Sequence, residues 1–228
     1  MAEMKPALTS NPGDTSNYAA RVASQVPGLR DMHRMAGILL AEHVPETGRV
    51  LVLGAGGGLE LRAFAQAYPG WRFDGVDPSP EMIALARDNL GQEGNRVTFH
   101  QGYIDTAPEG RFDGATCLLT LHFLARDERL RTLQEMRRRL RPAAPFVIAH
   151  HSFPQADGQQ ILWLRRNAAW LIAGGTPDAQ AMAGISSIKQ QLPVLPPEDD
   201  ERLLTTAGFR DIQLFYAAFT FKGWVARA

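Results

Sequence analysis

The stretch Arg49-Val-Leu-Val-Leu-Gly-Ala-Gly-Gly-Gly58 joins a short apolar run to a turn that is rich in glycine. Its first five residues are nearly all apolar, which is typical of a strand buried on both faces of a sheet. A helical pattern follows the turn, because apolar residues recur at helical spacing at Leu61, Phe64, Ala65 and Tyr68. This order of strand, turn and helix predicts the first unit of an α/β fold.

The same alternation continues along most of the chain. Further strands are predicted at 71–76, 97–101, 112–119 and 145–150, with helices between them. The last stretch alternates, which predicts two antiparallel strands with Ile212, Leu214 and Tyr216 on one face. Two helices are predicted in the segment before it, at 158–173 and 177–190. The predicted fold is doubly wound α/β, with a mainly parallel seven-stranded sheet, an antiparallel C-terminal hairpin and a helical lid inserted at about residues 155–195.

Composition excludes several classes of protein. The 228 residues carry 24 Lys+Arg and 24 Asp+Glu, and this zero net charge argues against a dedicated nucleic-acid binder. The single cysteine, Cys117, excludes an internal disulfide framework, and no Asp/Glu/His cluster suggests a metal site. No apolar run is long enough to cross a bilayer, and the first residues lack the apolar core of a signal peptide. We therefore expect a cytoplasmic protein, with no membrane contact and no metal.

Asp77 ends the second predicted strand, about 20 residues after the glycine turn, which is the spacing at which an acid meets ribose hydroxyls. The carboxyl ends of strands in such a sheet are also where ligands bind. Leu59 stands where a dinucleotide fingerprint needs a small residue, and no Lys-Ser/Thr pair follows the glycines as in a P-loop. A tight turn and a helix-entry acid remain the plain alternatives.

Gly54, Gly56 and Gly58 resemble the G-x-G-x-G motif of class I S-adenosylmethionine-dependent methyltransferases. Residues 75–82, 102–104 and 112–123 are similar to the family's next three motifs, and the resemblance covers about residues 48–228. It implies S-adenosyl-L-methionine as the cofactor, with residues 17–47 forming helices over its site and residues 1–16 a flexible N-terminus. The implied cofactor-binding residues are Tyr18, Gly54, Ala55, Gly56, Gly58, Asp77, Pro78, Met82, Gly102, Tyr103, Ile104 and Leu119.

The layout is nearest to the carboxy-S-adenosylmethionine synthase subgroup, through Val26-Pro-Gly28, residues 119–124 and the inserted helices. Leu29 stands where that subgroup has a tyrosine. The subgroup also has an arginine on the inserted helices that holds the extra carboxylate, and this chain has Ser186-Ser187 near that position. Both departures favour ordinary S-adenosylmethionine. Val52 also replaces the acid that many methyltransferases carry in the first strand, so Tyr18 or Arg21 is expected to shape the amino-acid end of the cofactor.

Three histidines follow predicted strands, and they are the candidate catalytic bases: His122, His150 and His151. His150 and His151 are adjacent on one strand, so their side chains point to opposite faces. On the lid, Trp163 and Trp170 are candidates for a substrate pocket, with core packing as the alternative. The arginines of the fifth predicted helix are interpreted as a solvated helix face: Arg126, Arg129, Arg131, Arg137, Arg138, Arg139 and Arg141.

Three functions are compatible with these residues. The leading hypothesis is an enzyme that transfers a methyl group from S-adenosylmethionine to a small-molecule acceptor by in-line displacement. The alternatives are a carboxy-S-adenosylmethionine synthase-like enzyme linked to tRNA wobble-uridine modification, and a non-catalytic cofactor-binding subunit of a partner. An NAD-dependent oxidoreductase is disfavoured by Leu59 and by the lack of a Tyr-x-x-x-Lys pair. Apolar positions on the lid are compatible with a homodimer.

Overall fold

A computed structural model describes residues 18–156 and 158–228, so the predicted flexible N-terminus lies outside the described residues. Seven strands form one sheet in the order β3-β2-β1-β4-β5-β7-β6. The first five strands run parallel, whereas β7 is antiparallel to both β5 and β6. This topology confirms the predicted fold class. The strands are β1 (Arg49–Leu53), β2 (Arg72–Asp77), β3 (Val97–Gln101), β4 (Gly114–Leu118), β5 (Pro145–His151), β6 (Arg210–Ala218) and β7 (Phe221–Arg227).

Helices cover both faces of the sheet, and each face has its own apolar core. One core joins α2 and α3 to side chains such as Val50, Val52 and Phe73. The other joins α5 and α8 to the opposite face, where Leu51 and Phe146 lie. The helices are α1 (Tyr18–Gln25), α2 (Leu29–Ala41), α3 (Leu59–Ala67), α4 (Pro80–Leu90), α5 (Arg126–Arg139), α6 (Gln159–Ala173), α7 (Asp178–Gln191) and α8 (Pro197–Thr206). Among these described helices, none is long and apolar enough to cross a membrane.

The start of α4 follows from its sequence. The hydroxyl oxygen of Ser79 accepts a hydrogen bond from the backbone N–H of Met82 at 3.2 Å, so it satisfies one of the free donors of the first turn. Pro80 occupies the first helical position, where its missing N–H costs nothing. This cap fixes the chain just after Asp77 and therefore helps to fix the direction of that acid.

The C-terminal hairpin corrects one prediction about side-chain direction. Ile212, Leu214 and Tyr216 were expected on one face, but Leu214 is 53% exposed whereas Tyr216 is buried. The pairing of β6 with β7 shifts register between Arg210 and Gln213 and again between Leu214 and Tyr216. Each β-bulge adds a residue on one strand and moves the following side chains to the other face, so the simple alternation fails here.

Arg129 and Arg139 contradict the interpretation of the α5 arginines as a solvated face, because both side chains are buried. Nη1 of Arg129 contacts Oδ1 of Asp200 on α8 at 2.5 Å, and Nη2 donates to the carbonyl oxygen of Pro193 at 3.0 Å. Burial alone would raise the pKa of Asp200, but the charges of His150 and Arg129 hold it below its ordinary value. Arg129 therefore joins α5 to α8 and to the proline-rich segment before it.

The inserted helices α6 and α7 exist as predicted and form a small core of their own, with Phe153, Leu164 and Ile185 among its residues. Trp170 is partly exposed, and its indole N–H donates to the backbone carbonyl of Ser24 in α1 at 3.0 Å. The insertion therefore rests against the N-terminal helices. Its role as a lid stays a prediction.

Candidate cofactor and active site

A cavity of about 540 Å³ opens at the carboxyl ends of β1, β2 and β4. The strand order reverses between β1 and β4, and this switch point is where open α/β sheets bind ligands. The cavity has the volume of a typical small-molecule site and a mainly apolar lining. Helices α1 and α2 contribute to its wall through Tyr18, Arg21, Val22, Leu29 and His33.

The glycine turn between β1 and α3 brings backbone to the edge of this cavity. Gly54 has a φ of 75°, and a Cβ atom there would lie 1.9 Å from the side-chain oxygen of Thr120. Gly58 has a φ of 76°, and its Cβ would lie 3.0 Å from the backbone of Ala86 in α4. Only glycine fits this combination of left-handed backbone and close approach.

Asp77 and the glycine turn are in direct contact. Oδ2 of Asp77 accepts a hydrogen bond from the backbone N–H of Gly56 at 2.8 Å, and Oδ1 accepts one from Ser79 at 3.0 Å. Burial raises the pKa of this carboxyl, and the two N–H groups act in the opposite direction. The carboxylate lines the cavity, so its remaining lone pairs are available to two sugar hydroxyls.

The cavity lining fits an adenosine carrying an amino acid. Ten of the predicted cofactor-binding residues line it: Tyr18, Gly54, Gly56, Asp77, Pro78, Met82, Gly102, Tyr103, Ile104 and Leu119. Ala55 and Gly58 do not; Ala55 donates its N–H to Val76, and Gly58 packs against α4. Nε of Arg21, on the same wall as Tyr18, is buried without a hydrogen-bond partner among the described residues. Such an unsatisfied donor is costly, and an anionic group bound there would satisfy it.

Leu119 follows β4 with a φ of 57°, a conformation that is uncommon for a residue other than glycine. Its backbone N–H donates to the carbonyl oxygen of Ala149 at 2.6 Å, which holds the turn against β5. Strained backbone of this kind clusters at functional sites. Here it ends β4 directly at the cavity wall.

The three histidines predicted as bases are buried, and none of them is among the described residues that line the cavity. Nδ1 of His122 accepts the backbone N–H of His151 at 3.3 Å, and Nδ1 of His151 pairs with the hydroxyl of Thr220 at 3.0 Å. Burial holds the pKa of His122 well below its ordinary value and lowers that of His151 to about 3. His150 lies 3.2 Å from Asp200. Their catalytic role stays a prediction.

Trp163 and Trp170 also lie outside the cavity lining. Trp163 packs against the core of the insertion, with the guanidinium of Arg166 4.5 Å from its ring centre and Lys222 at 5.1 Å. The predicted substrate pocket at these two tryptophans is therefore separate from the cavity, and it too stays a prediction.

Glu60 is a charged cavity residue that sequence reasoning missed. It lies in the first turn of α3, two residues after the glycine turn, and is 7% exposed. Burial raises its pKa to about 8, with a further increase from the nearby charge of Asp77. An acid in the first turn of a helix is common for reasons of the helix dipole alone, so nothing in the sequence distinguished this one.

Glu60→Gln is expected to change how stability depends on pH. The folded pKa lies above the unfolded value, so the wild type loses stability relative to the variant as pH rises from the unfolded pKa towards the folded one. Between about pH 6 and pH 8, the free energy of unfolding of the wild type should fall by about 2 kcal/mol relative to that of the variant. Urea unfolding of both proteins across this range measures it, and parallel pH profiles would contradict a buried, neutral Glu60.

Comparison with known proteins supports the interpretation of the cavity. Residues 50–143, which span β1 to the end of α5, match a family model described as a methyltransferase domain. The match covers less than half of the chain, and together with the sheet order and the contact of the glycine turn with Asp77 it makes this part of the chain similar to a methyltransferase domain.

The chain is also similar to a carboxy-S-adenosyl-L-methionine synthase from Chromohalobacter salexigens. The two are 25% identical over 213 residues, which cover 90% of this chain and 77% of the relative. The synthase from Staphylococcus epidermidis is 20% identical, and the alignment covers 92% of each chain.

Solved methyltransferases share the fold. PigF with S-adenosylhomocysteine superposes with a TM-score of 0.67 at 18% identity, over 96% of this chain. Human N-acetylserotonin methyltransferase in complex with S-adenosylmethionine superposes with a TM-score of 0.59 at 17% identity, also over 96% of this chain. This chain spans about 60% of the length of either structure.

Proposed function

We propose that the chain transfers the methyl group of S-adenosylmethionine to a small-molecule acceptor. The observation that carries the proposal is the contact between Gly56 and Asp77 at the edge of a cavity of about 540 Å³. A glycine turn, a buried carboxylate and an adjoining mainly apolar space are what a nucleoside with a charged tail requires.

The residues of the cavity would act by holding and orienting. When bound, S-adenosylmethionine would supply an activated methyl group for in-line transfer to the acceptor, with S-adenosylhomocysteine as the leaving group. The carboxylate of Asp77 would bind the ribose hydroxyls, and Gly102, Tyr103 and Ile104 would surround the adenine. Leu53, Leu118 and Leu119 line the cavity where β1 and β4 end, and their apolar side chains would keep water from the reacting atoms. Alignment and exclusion of water are thus the main catalytic contributions that we expect from this chain.

A histidine base remains part of the proposal, for acceptors that lose a proton. His122 is separated from the cavity by its neighbour Phe123, which lines it, and the two rings are 4.3 Å apart. A small rotation of the short turn at residues 121–123 would be needed to bring the imidazole to an acceptor. His33 already lines the cavity, and burial lowers its pKa to about 4, so it is neutral at pH 7.

Ligand binding and ligand mass test this function together. Purified protein should bind S-adenosylmethionine or S-adenosylhomocysteine with one site per chain by isothermal titration calorimetry. Native mass spectrometry of protein taken directly from cells should show one of the two compounds. A chain that binds neither compound at millimolar concentration would refute the proposal.

A carboxy-S-adenosylmethionine synthase-like reaction is the second candidate, and it is favoured by the curated relatives, which align over nine-tenths of the chain. Two departures from the subgroup oppose it. Leu29 lines the cavity where the subgroup has a tyrosine, and Ser186-Ser187, near the subgroup's carboxylate-holding arginine, lies on α7 outside the cavity lining. A copurified ligand with the mass of the carboxylated cofactor would establish this candidate instead of the first.

A cofactor-binding subunit that serves a partner is the third candidate. A solved methyltransferase from Haloferax volcanii, in complex with the Trm112 activator, shares the fold with a TM-score of 0.61. Stable complex formation with another chain, together with cofactor binding and no turnover of any acceptor, would favour it. A cytoplasmic location and a homodimer stay predictions from the sequence.

A further inference from the structure

We infer that Glu60 and Arg21 bind the amino-acid end of the cofactor, Glu60 its ammonium group and Arg21 its carboxylate. The inference rests on the proposed binding of S-adenosylmethionine in this cavity. It also accounts for Val52, which is fully buried among apolar side chains and leaves β1 without an acid at that position.

The burial and position of Glu60 suit it to bind an ammonium group. Its carboxyl group is more than nine-tenths buried, and it lines the cavity. Within residues 18–156 and 158–228, no other residue donates a hydrogen bond to it. The backbone N–H of Glu60 itself bonds to the carboxyl group, but no cation lies beside it among the described residues, so the buried group is unfavourable when charged and takes up a proton. A cation that binds beside Glu60 in the cavity would stabilise the ionised carboxylate and cause the proton to leave.

The surroundings of Glu60 locate it at the correct end of the cavity. The titratable or charged groups that face the pocket around it are Tyr18 and Arg21 on α1, His33 on α2, Asp77 after β2 and, behind it, Cys117 on β4. Asp77 is assigned to the ribose of the cofactor and residues 102–104 to its adenine. The remaining space of the cavity, towards β4, is therefore where we expect the amino-acid end of the cofactor. Glu60 is the acid that faces this space from α3.

Arg21 supplies the opposite charge. Its Nε is buried and has no partner among the described residues, and its guanidinium carbon lies 5.8 Å from the ring centre of Tyr18. Tyr18 in turn covers the glycine turn, since a Cβ atom on Gly57 would lie 2.5 Å from its ring. Tyr18 lies close enough to both charged groups that the charges of Glu60 and Arg21 act on its pKa in opposite directions. A guanidinium binds a carboxylate with two parallel hydrogen bonds.

The pair predicts selectivity for an intact amino-acid tail. S-adenosylmethionine and S-adenosylhomocysteine carry both an ammonium and a carboxylate, whereas 5′-methylthioadenosine carries neither. Binding of the ammonium should also ionise Glu60, because the charged carboxylate is then paired, and a proton should leave the protein on binding.

The test measures the dissociation constants of S-adenosylhomocysteine and 5′-methylthioadenosine for four proteins: wild type, Glu60→Gln, Arg21→Met and the control Glu46→Gln, whose side chain is exposed and outside the cavity lining. Loss of one charged hydrogen-bonding group should weaken S-adenosylhomocysteine about 10- to 100-fold in each of the two cavity variants. Binding of 5′-methylthioadenosine should stay within about twofold of wild type, and the control should match wild type for both compounds.

Calorimetry at pH 7 in buffers of different ionisation enthalpy adds an independent readout, because wild type should release a proton on binding S-adenosylhomocysteine and Glu60→Gln should not. Wild-type affinity in Glu60→Gln, or equal losses for both compounds in a variant that keeps its melting temperature, would overturn the inference. If wild type binds 5′-methylthioadenosine but not S-adenosylhomocysteine, the tail-binding role falls while the adenosine site stands. If it binds neither, the proposed function itself is refuted.

Discussion

Asp77→Asn should lower the affinity for S-adenosylhomocysteine by at least about 100-fold. The change removes the charged acceptor that we propose binds two ribose hydroxyls, and each such bond contributes about 1.5–3 kcal/mol. The carboxylate is held in place before the ligand arrives, by Gly56 on one oxygen and by Ser79 on the other. The cost of ordering it is therefore already met in the free protein. Isothermal titration calorimetry measures the change, and 5′-methylthioadenosine should weaken by a similar factor because it carries the same ribose.

Asp74→Asn is the matched control for this experiment. Asp74 lies on the same strand and is also buried, but it pairs with Arg49 and His100 and is not part of the cavity lining. This variant should lose stability and keep its affinity for S-adenosylhomocysteine. Equal affinity losses in the two variants would mean that Asp77 acts through the stability of β2 and not through contact with the ligand.

Arg129→Met should lower the free energy of unfolding by about 3–5 kcal/mol, because it leaves the charge of Asp200 buried with only the side chains of His150 and Ser152 beside it among the described residues. The variant also frees the carbonyl oxygen of Pro193, which Arg129 binds in the wild type. Urea unfolding at pH 7 measures the loss. Because Arg129 does not line the cavity, the folded fraction should still bind S-adenosylhomocysteine.

The double variant Arg129→Met/Asp200→Asn separates the buried charge from the lost packing. Removing both charges should recover part of the stability, since a neutral amide is cheaper to bury than an unpaired carboxylate. A double variant that is as unstable as Arg129→Met, or a single variant that loses less than about 1 kcal/mol, would contradict the assigned role of this ion pair.

The sheet could be predicted because each of its central strands is a local run of apolar residues. The run from Arg49 to Leu53 is apolar throughout, and the structure has β1 over those same residues. The existence of the hairpin could be predicted, but its register could not. The bulges near Gln213 and Leu214 depend on pairing with β7, and the alternation of apolar and polar residues along β6 does not indicate them. The direction of single side chains along an edge strand is thus beyond local pattern.

The candidate site could be predicted where a residue is fixed by the backbone, and not where it depends on tertiary packing. Gly54 and Asp77 follow strand ends, so their meeting at one edge of the sheet follows from topology. Glu60 looks like an ordinary helix-entry acid in the sequence, and Arg129 like one of many surface arginines. Arg129 is buried against Asp200 of α8, and Glu60 lies near Tyr18 of α1, so both environments involve elements distant in the chain.

A crystal structure of the chain with S-adenosylhomocysteine tests the central claim most directly. The account predicts ribose hydroxyls within hydrogen-bond distance of the Asp77 carboxylate, an adenine beside Gly102 to Ile104 and a homocysteine tail that ends between Glu60 and Arg21. An adenosine bound elsewhere on the sheet, or a complex in which Asp77 keeps only its contacts with Gly56 and Ser79, would contradict it.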